Sequence, residues 1–324
     1  MSLTIGRATL HIKEQVERLA ATKQREFWPH FLFHTTHVTN AVGIVERGAL
    51  GARNLISNFH DVANQGALGA FQGSHDYARF YFRPKNGFHL RTEGIKCLCD
   101  PFRLANQMSV PVCFVFPIQR ILCRPDACFT TGNVQRSQEF LTGDAAFDTL
   151  DFNAIYHDHW LDASNKEYIL DRRMAEVAVK GELPLANNLH SIVFRTIWDA
   201  YTFRHMLGER GISCPYPLAT EQPNGSLFMS QGMYITDLKF SDDRINLSFQ
   251  FPLRNGPSDN IYDVCVVQEY AGGRMILDQK LLLDKPTLSI GPYKADPNSI
   301  WTIHLEKVLA FKGRLQHAKS QLFG

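Results

Sequence analysis

The stretch FHTTHVTNAVGIVERGAL, residues 33–50, crowds His34, Thr35, Thr36, His37 and Asn40 together and then runs into an apolar pattern that closes at Gly48. So many imidazole, hydroxyl and amide groups just ahead of a helix built to pack suggest a strand end that meets a polar ligand. Two further features belong beside it. The segment YARFYFRP (77–84) is an aromatic strand carrying Tyr77 and Tyr81, and Glu176 is a carboxylate alone among the apolar residues of RRMAEVAV. A carboxylate on a largely buried strand can steady a developing positive charge or accept a proton. Each feature also has an ordinary alternative. A lone Glu can sit at a sheet edge or pair with Arg172, His34 and His37 can be core or capping histidines, and strand aromatics are commonly core.

The elements that must position these groups can be read from periodicity. Residues 8–29 alternate charge with the apolar Leu10, Ile12, Val16 and Leu19, which predicts a leading amphipathic helix. HFLFHTTH reads as a strand with a polar end. Ala41, Ile44, Val45 and Leu50 fall on one face of the following helix, and Gly48 is placed as its left-handed cap. VPVCFVFP (110–117) is a buried strand by its β-branched and aromatic content. Ala175–Val179 is predicted as a strand with Glu176 and Ala178 on one face, and IWDAYTFRHML (197–207) has helical rhythm. The Pro- and Gly-containing stretch SCPYPLATEQPNGS (213–226) reads as a domain boundary. Beyond it the period is two: Ile245, Leu247, Phe249 and Phe251 alternate with polar residues, and YDVCVVQEY, RMILDQKLLL and SIWTIHLEKV continue in that style. The expectation is an α+β domain over 1–225, followed by a small all-β, antiparallel sandwich-like domain over 226–324.

Composition sets the outer limits. With 324 residues, 44% hydrophobic and 20% charged, the chain is an ordinary globular protein long enough to bury a core without disulfides or metal. A net charge of +2 excludes binding to a polyanion through the global field alone, so such binding needs a local patch. The best one is RPKNGFHLR (83–91), with Arg83, Lys85, His89 and Arg91. The seven cysteines, unevenly spaced, read as free thiols of a reducing compartment, and the expected localisation is the cytoplasm. No apolar run reaches membrane-spanning length, and the N-terminus has no secretory pattern. The pair His157 and His159 and the pair Cys97 and Cys99 each invite a metal reading. Neither has further ligands at a suitable spacing, so no metal is expected.

Three segments together resemble the DarT family of ADP-ribosyltransferases, toxins that attach ADP-ribose from NAD to nucleic-acid bases. FHTTHVTNAVGIVERGAL is similar to that family's YHITHIDNLPSILEHGLL-like opening, HDYARFYFRP to its DYVPFYF segment, and RRMAEVAV to its R-x-AEV strand. The three fall in the family's order and span most of residues 30–205. The resemblance implies an ADP-ribosyltransferase-like split mixed sheet with flanking helices in the first domain. It implies NAD as co-substrate and Glu176 as the catalytic carboxylate, bonded to the nicotinamide-ribose 2′-OH.

His34 and Thr36, two apart on an extended strand, would order the adenosine ribose. Asn40 would position the cofactor or cap the helix, and Tyr77 or Tyr81 would stack on the nicotinamide. One departure stands out. The family's arginine-bearing helix corresponds here to a region without Arg between Asn58 and Tyr77, so the pyrophosphate contact falls to Arg53, before it, or to Arg79 or Arg83, after it. The loop IYHDHWLDASNKEY (155–168) precedes the glutamate, and in ADP-ribosyltransferases such a segment recognises the target. This assigns Tyr156, His157, Trp160 and Arg172, with Arg83, to nucleic-acid binding.

The implied function is transfer of ADP-ribose to a base of single-stranded DNA, with RNA close behind. The setting would be a toxin–antitoxin or phage-defence system, restrained by an antitoxin or chaperone protein. The alternatives are a catalytically degenerate module that binds nucleic acid or a partner, and a protein-modifying transferase.

Overall fold

A computed structural model describes residues 2–22, 25–57, 72–97, 100, 103, 107–222, 225–230, 232–241, 243–251, 261–283, 285–294 and 296–314. The first region holds strands β1 (Phe31–His37), β2 (Ala49–Gly51), β3 (Tyr77–Tyr81), β4 (Pro111–Pro117), β5 (Ala127–Phe129), β6 (Glu176–Lys180), β7 (Glu182–Pro184), β8 (Ser191–Phe194) and β9 (Leu218–Thr220). Its helices are α1 (Ile5–Leu19), α2 (Val38–Arg47), α3 (His89–Thr92), α4 (Ile118–Leu122), α5 (Val134–Ser137), α6 (Asp144–Phe147), α7 (Phe152–Ile155), α8 (Lys166–Arg172) and α9 (Ile197–Glu209). Seven strands form one sheet in the order β5-β6-β3-β1-β4-β8-β9, while β2 and β7 pair apart from it. The neighbours are antiparallel except β8 and β9, so the sheet is mixed.

Register explains where this sheet opens. β1 pairs with β4 along its whole length, from Phe31↔Pro117 to His37↔Pro111. With β3 it shares a single register pair, Phe33↔Tyr81. Past that point β1 and β3 part, and the carbonyl of Arg79 has no ladder partner from β1. The His34 ring supplies one, with Nδ1 3.0 Å from that oxygen. A side chain thus satisfies the backbone group left where the sheet splits. The split mixed sheet expected from the resemblance is present, and the core beneath it is dominated by fully buried Phe33, Phe80, Phe82, Phe114, Phe116 and Phe194.

Most predicted elements of this region recur with shifted ends. The helix after β1 is α2, closed by Gly48 at φ 70° with its N–H on Val45 O. The leading helix is shorter than read. It stops at Leu19, because Trp28–His30 forms a separate 3-10 turn, and its inward residues are Ala8, His11 and Leu19, while Leu10 is exposed. His11 lies among the rings of Phe147, Phe152 and Tyr156, so a polar residue fills the place the periodicity gave to leucine. The boundary stretch 213–226 is more than a linker, since β9 adds to the edge of the first sheet through Ile192↔Leu218 and Phe194↔Thr220.

The later strands are β10 (Tyr234–Ser241), β11 (Arg244–Gln250), β12 (Ile261–Tyr270), β13 (Gly273–Leu282), β14 (Thr287–Ile290), β15 (Ile300–Leu305) and β16 (Val308–Gly313). They form two antiparallel sheets, β10-β11-β14 and β13-β12-β15-β16. Ile245, Leu247 and Phe249 face a common core with Tyr262, Val264, Trp301 and Ile303, as the period-two pattern predicts. The segment SIWTIHLEKV is not one strand, because Glu306 and Lys307, at φ 55° and 66°, make the tight turn from β15 to β16. That geometry matches the right-handed twist of the strands it joins. This second core also takes Ile95, Cys97 and Trp198 from the first region. Trp198 and Tyr201 of α9 pack on Phe311, with ring centroids 6.0 and 6.1 Å away.

The cysteine expectation needs correction at one position. Cys97 is disulfide-bonded, whereas Cys113, Cys123, Cys128, Cys214 and Cys265 are free, and Cys99 lies outside the described residues. Among the described residues no helix is long and apolar enough to cross a membrane.

Candidate active site

Where β1 and β3 part, a cavity of about 920 Å³ opens between β1, α2, β2 and β3. Its lining includes His34, Thr36, Asn40, Arg53, Tyr77 and Tyr81, so the six residues predicted to touch a cofactor border one space. Three of them come from a single turn of chain. Thr36 Oγ1 accepts a 3.0 Å hydrogen bond from Asn40 Nδ2, tying the strand end to the first turn of α2. Asn40 is therefore not the helix cap. His37 is, its side chain accepting from Thr39 N, which is the capping role weighed for that histidine. Arg53 begins the 3-10 turn Arg53–Leu55 after β2 and borders the cavity, as Arg47 and Arg210 also do. His34 Nδ1 must donate to the Arg79 carbonyl, which leaves Nε2 as an acceptor. Burial and the Arg79 guanidinium hold this imidazole neutral, its pKa down to about 4.

Glu176 sits one layer behind the lining. It is 2% exposed and lies opposite Tyr81 across β3 and β6, in the row that continues to Phe33. Its backbone is anchored by Thr130, whose Oγ1 accepts from Glu176 N at 3.0 Å while Thr130 N donates to Glu176 O at 2.9 Å. The carboxylate is ion-paired to Arg79, with Nη1 3.4 Å from Oε2, and the Tyr81 side chain is its other polar neighbour. That approach is poorly aimed, and Oε2 is left buried without a hydrogen bond. Burial raises the Glu176 pKa above the usual carboxylate range, and Arg79 and Tyr81 oppose the rise. The partner of this glutamate is therefore Arg79, not Arg172.

Arg79 is the residue that sequence reasoning undervalued. It stood only as a fallback phosphate contact, although its place two residues from Tyr81 on one strand puts both on one face. The wall residues Phe88, His89 and Thr92 were missed altogether, His89 having been counted into a basic patch. That histidine is buried, its Nδ1 2.9 Å from the Pro84 carbonyl, with a pKa lowered to about 4 chiefly by burial.

The residues assigned to nucleic acid fare differently. Tyr156 is 1% exposed, packed against Phe152 and 3.2 Å from His11 Nε2, so it is a core residue and cannot meet a base. Arg83 is also 1% exposed, sits over the Trp28 ring, and bonds the His157 carbonyl and Asp158 Oδ1. An arginine walled off in this way cannot neutralise a strand's phosphates, and with His89 buried as well the patch at 83–91 is reduced to Lys85 and Arg91. His157 Nδ1 accepts from Arg173 at 2.8 Å, which removes it from metal duty; among the described residues no cluster could hold a metal. Arg172 donates to Thr131 O and Oγ1 at 3.0 and 2.9 Å and lies over the Tyr168 ring, yet its side chain remains partly open to solvent. Trp160 is 98% exposed at the tip of a loop whose base Arg25, Arg83 and Arg173 hold around Asp158 and His157.

Comparison with known proteins places this geometry in a family. Residues 33–221 match the family described as "ssDNA thymidine ADP-ribosyltransferase, DarT". Among solved structures, Thermus sp. 2.9 DarT in complex with NAD+ is similar at 19% identity and a TM-score of 0.47, covering 60% of this chain and 96% of its own. The same protein in complex with ADP-ribosylated ssDNA is similar at 18% identity and a TM-score of 0.48, covering 60% of this chain and 95% of its own. These likenesses are too distant to transfer the role of any residue. No curated protein matches the chain. The family match covers more than half of the sequence, and this chain belongs to the DarT family of ADP-ribosyltransferases.

Proposed function

We propose that this chain transfers ADP-ribose from NAD to a base of single-stranded DNA, with Glu176 as its catalytic carboxylate. The observation that carries the reading is the buried Glu176, framed by Arg79 and Tyr81, directly behind a cavity bordered by His34, Thr36, Asn40 and Arg53. The size of that cavity suits an extended dinucleotide. The unbonded Glu176 Oε2 is an acceptor that a ribose 2′-OH would satisfy.

The chemistry follows from these groups. The N-glycosidic bond of NAD breaks with its electron pair going to the nicotinamide nitrogen, and positive charge develops on the ribose. A fixed carboxylate beside the sugar lowers that barrier because it is in place before the charge appears. The base attacks the anomeric carbon and loses a proton, for which Glu176 is the nearest acceptor. His34 Nε2, neutral and lone-paired, accepts from a hydroxyl of the adenosine ribose, with the Thr36–Asn40 pair ordering it. Arg53 takes the diphosphate. Tyr81 rather than Tyr77 flanks the reacting sugar, since four residues of strand separate them by about 13 Å and Tyr81 is the one in register with Glu176.

Trp160 is the residue best placed to stack on an unpaired base, with His157 and Arg172 as its neighbours. In this reading residues 1–225 form the catalytic domain and 226–324 an accessory domain. The protein acts as a cytoplasmic toxin of a toxin–antitoxin or antiviral system, restrained by an antitoxin or chaperone. Thymidine, named in the family description, is the first base to test. Incubation of the protein with NAD and single-stranded DNA oligonucleotides of each base, read by mass spectrometry, should show an ADP-ribose adduct that Glu176→Gln does not form. Equal adducts from both proteins would refute catalysis by Glu176. Adducts on RNA or protein but not on DNA would redirect the substrate.

A further inference from the structure

Between Asn54 and Ala78 the sequence has no lysine or arginine, and Arg79 on β3 is the first cation after that stretch. We infer that Arg79 is a positioning residue that holds the Glu176 carboxylate ionised and aimed at the cavity. The inference rests on Glu176 being the catalytic group, and the geometry supports it in three ways. Arg79 Nη1 lies 3.4 Å from Glu176 Oε2. The same side chain lines the cavity, 29% exposed, so one guanidinium bridges the buried acid and the space where a ligand lies. Its backbone carbonyl meets His34 Nδ1 at 3.0 Å, a contact that holds the β3 backbone against the cavity wall whatever the side chain, so the guanidinium projects from a fixed position.

Among the described residues no other cation is ion-paired to Glu176. Arg172 and Arg173 end α8 just before Glu176, but they turn to Thr131 and to His157. His34 from β1 and His89 from α3 border the cavity as neutral imidazoles. Thr130, next to β5, is spent on the Glu176 backbone, and Tyr81 is the remaining polar neighbour of the carboxylate on β3. Burial disfavours the Glu176 anion, and Arg79 is the largest influence opposing it. Without Arg79 the acid would take up a proton at a higher pH, and a protonated carboxyl can neither steady an oxocarbenium ion nor accept a proton.

The test compares Arg79→Gln and Arg79→Lys with the parent, using ¹³C-labelled glutamate and the NMR titration of the Glu176 carboxyl, assigned by its loss in Glu176→Gln. The expected result is a midpoint raised by about 1–3 pH units in Arg79→Gln and by less in Arg79→Lys. In transfer assays, kcat at neutral pH should fall at least ~10-fold while KM for NAD changes less than ~3-fold, the acid limb of the kcat profile moving upward with the midpoint. An unchanged midpoint in a folded Arg79→Gln protein overturns the inference, as does a loss confined to KM. If Arg79→Gln does not fold, Arg79→Lys decides, through a midpoint and kcat that move or stay. The titration needs no activity, so a parent protein that transfers nothing would sink the functional reading while the pairing is still judged.

Discussion

The cavity and the loop ahead of Glu176 were read from the same sequence with opposite results. All six predicted cofactor residues border one space, whereas Tyr156 and Arg83, predicted to face nucleic acid, are buried. The difference lies in what spacing can encode. On a strand the side chains alternate faces, so His34 and Thr36, or Arg79 and Tyr81, are tied to a common side before any tertiary contact is known. A loop has no such rule. Aromatic and cationic residues there go wherever packing and unpaired polar groups demand, and in IYHDHW they alternate between core, brace and tip.

The sharpest way to break this comparison is at its most constrained residue. Glu176→Gln keeps the volume and loses the charge. Transfer should fall by at least about 10³-fold, several kcal/mol of transition-state stabilisation, as seen in single-turnover rates. A variant within tenfold of the parent would mean that the cavity is not where the bond breaks, and would erase the contrast between the two regions.

How much was legible follows the same division. β1, α2 and β4 were visible because period and capping agree locally: the polar end of FHTTH, the α2 face and the left-handed Gly48 all point to one arrangement. The alternation Ile245, Leu247, Phe249 located β11 for the same reason. β9 was hidden because its three residues lie between prolines and polar residues, and its partner β8 is more than twenty residues away in sequence. The pairing of Arg79 with Glu176 was hidden because it depends on the β3–β6 register, which sets Tyr81 opposite Glu176 and which no local pattern reveals. Arg83 was misread because a buried arginine needs an acid from far along the chain, here Asp158.

The second prediction concerns that arginine. Arg83→Met removes a guanidinium that binds Asp158, braces the His157 carbonyl and covers Trp28. Breaking a buried pair from one side costs about 3–5 kcal/mol, discounted here because Asp158 is partly exposed and keeps Arg25. Chemical denaturation should show a clear loss of stability, while DNA affinity of the folded protein stays near that of the parent. A fall in DNA affinity at unchanged stability would restore the nucleic-acid role and make the loop as readable as the cavity.

Trp160 is a loop residue whose exposure leaves it open to a base. Its ring is almost fully exposed and contributes nothing to the core, so Trp160→Ala should leave thermal stability unchanged. If it stacks on an unpaired base, the KM for oligonucleotide should rise by about 5- to 100-fold, the equivalent of ~1–3 kcal/mol. KM for NAD should not move. Tyr156→Phe is the matched control from the same loop and should leave oligonucleotide KM alone.

The finest distinction is between histidines. His11, under Tyr156, is held neutral with its pKa lowered to about 3, by burial first and by Arg7 and Arg18 next. A histidine whose folded pKa is depressed stabilises the fold above its unfolded pKa, near 6.5, and loses that contribution as pH falls toward the folded value. Between about pH 6 and pH 4 the unfolded chain therefore binds one more proton at this site, a slope of roughly 1.4 kcal/mol per pH unit. His11→Gln should flatten the acid fall of stability by that slope, read from denaturant midpoints across the range. The base of the loop would then be the acid-sensitive part of the fold, and an unchanged slope would place His11 in contact with solvent, outside the packing that buries Tyr156.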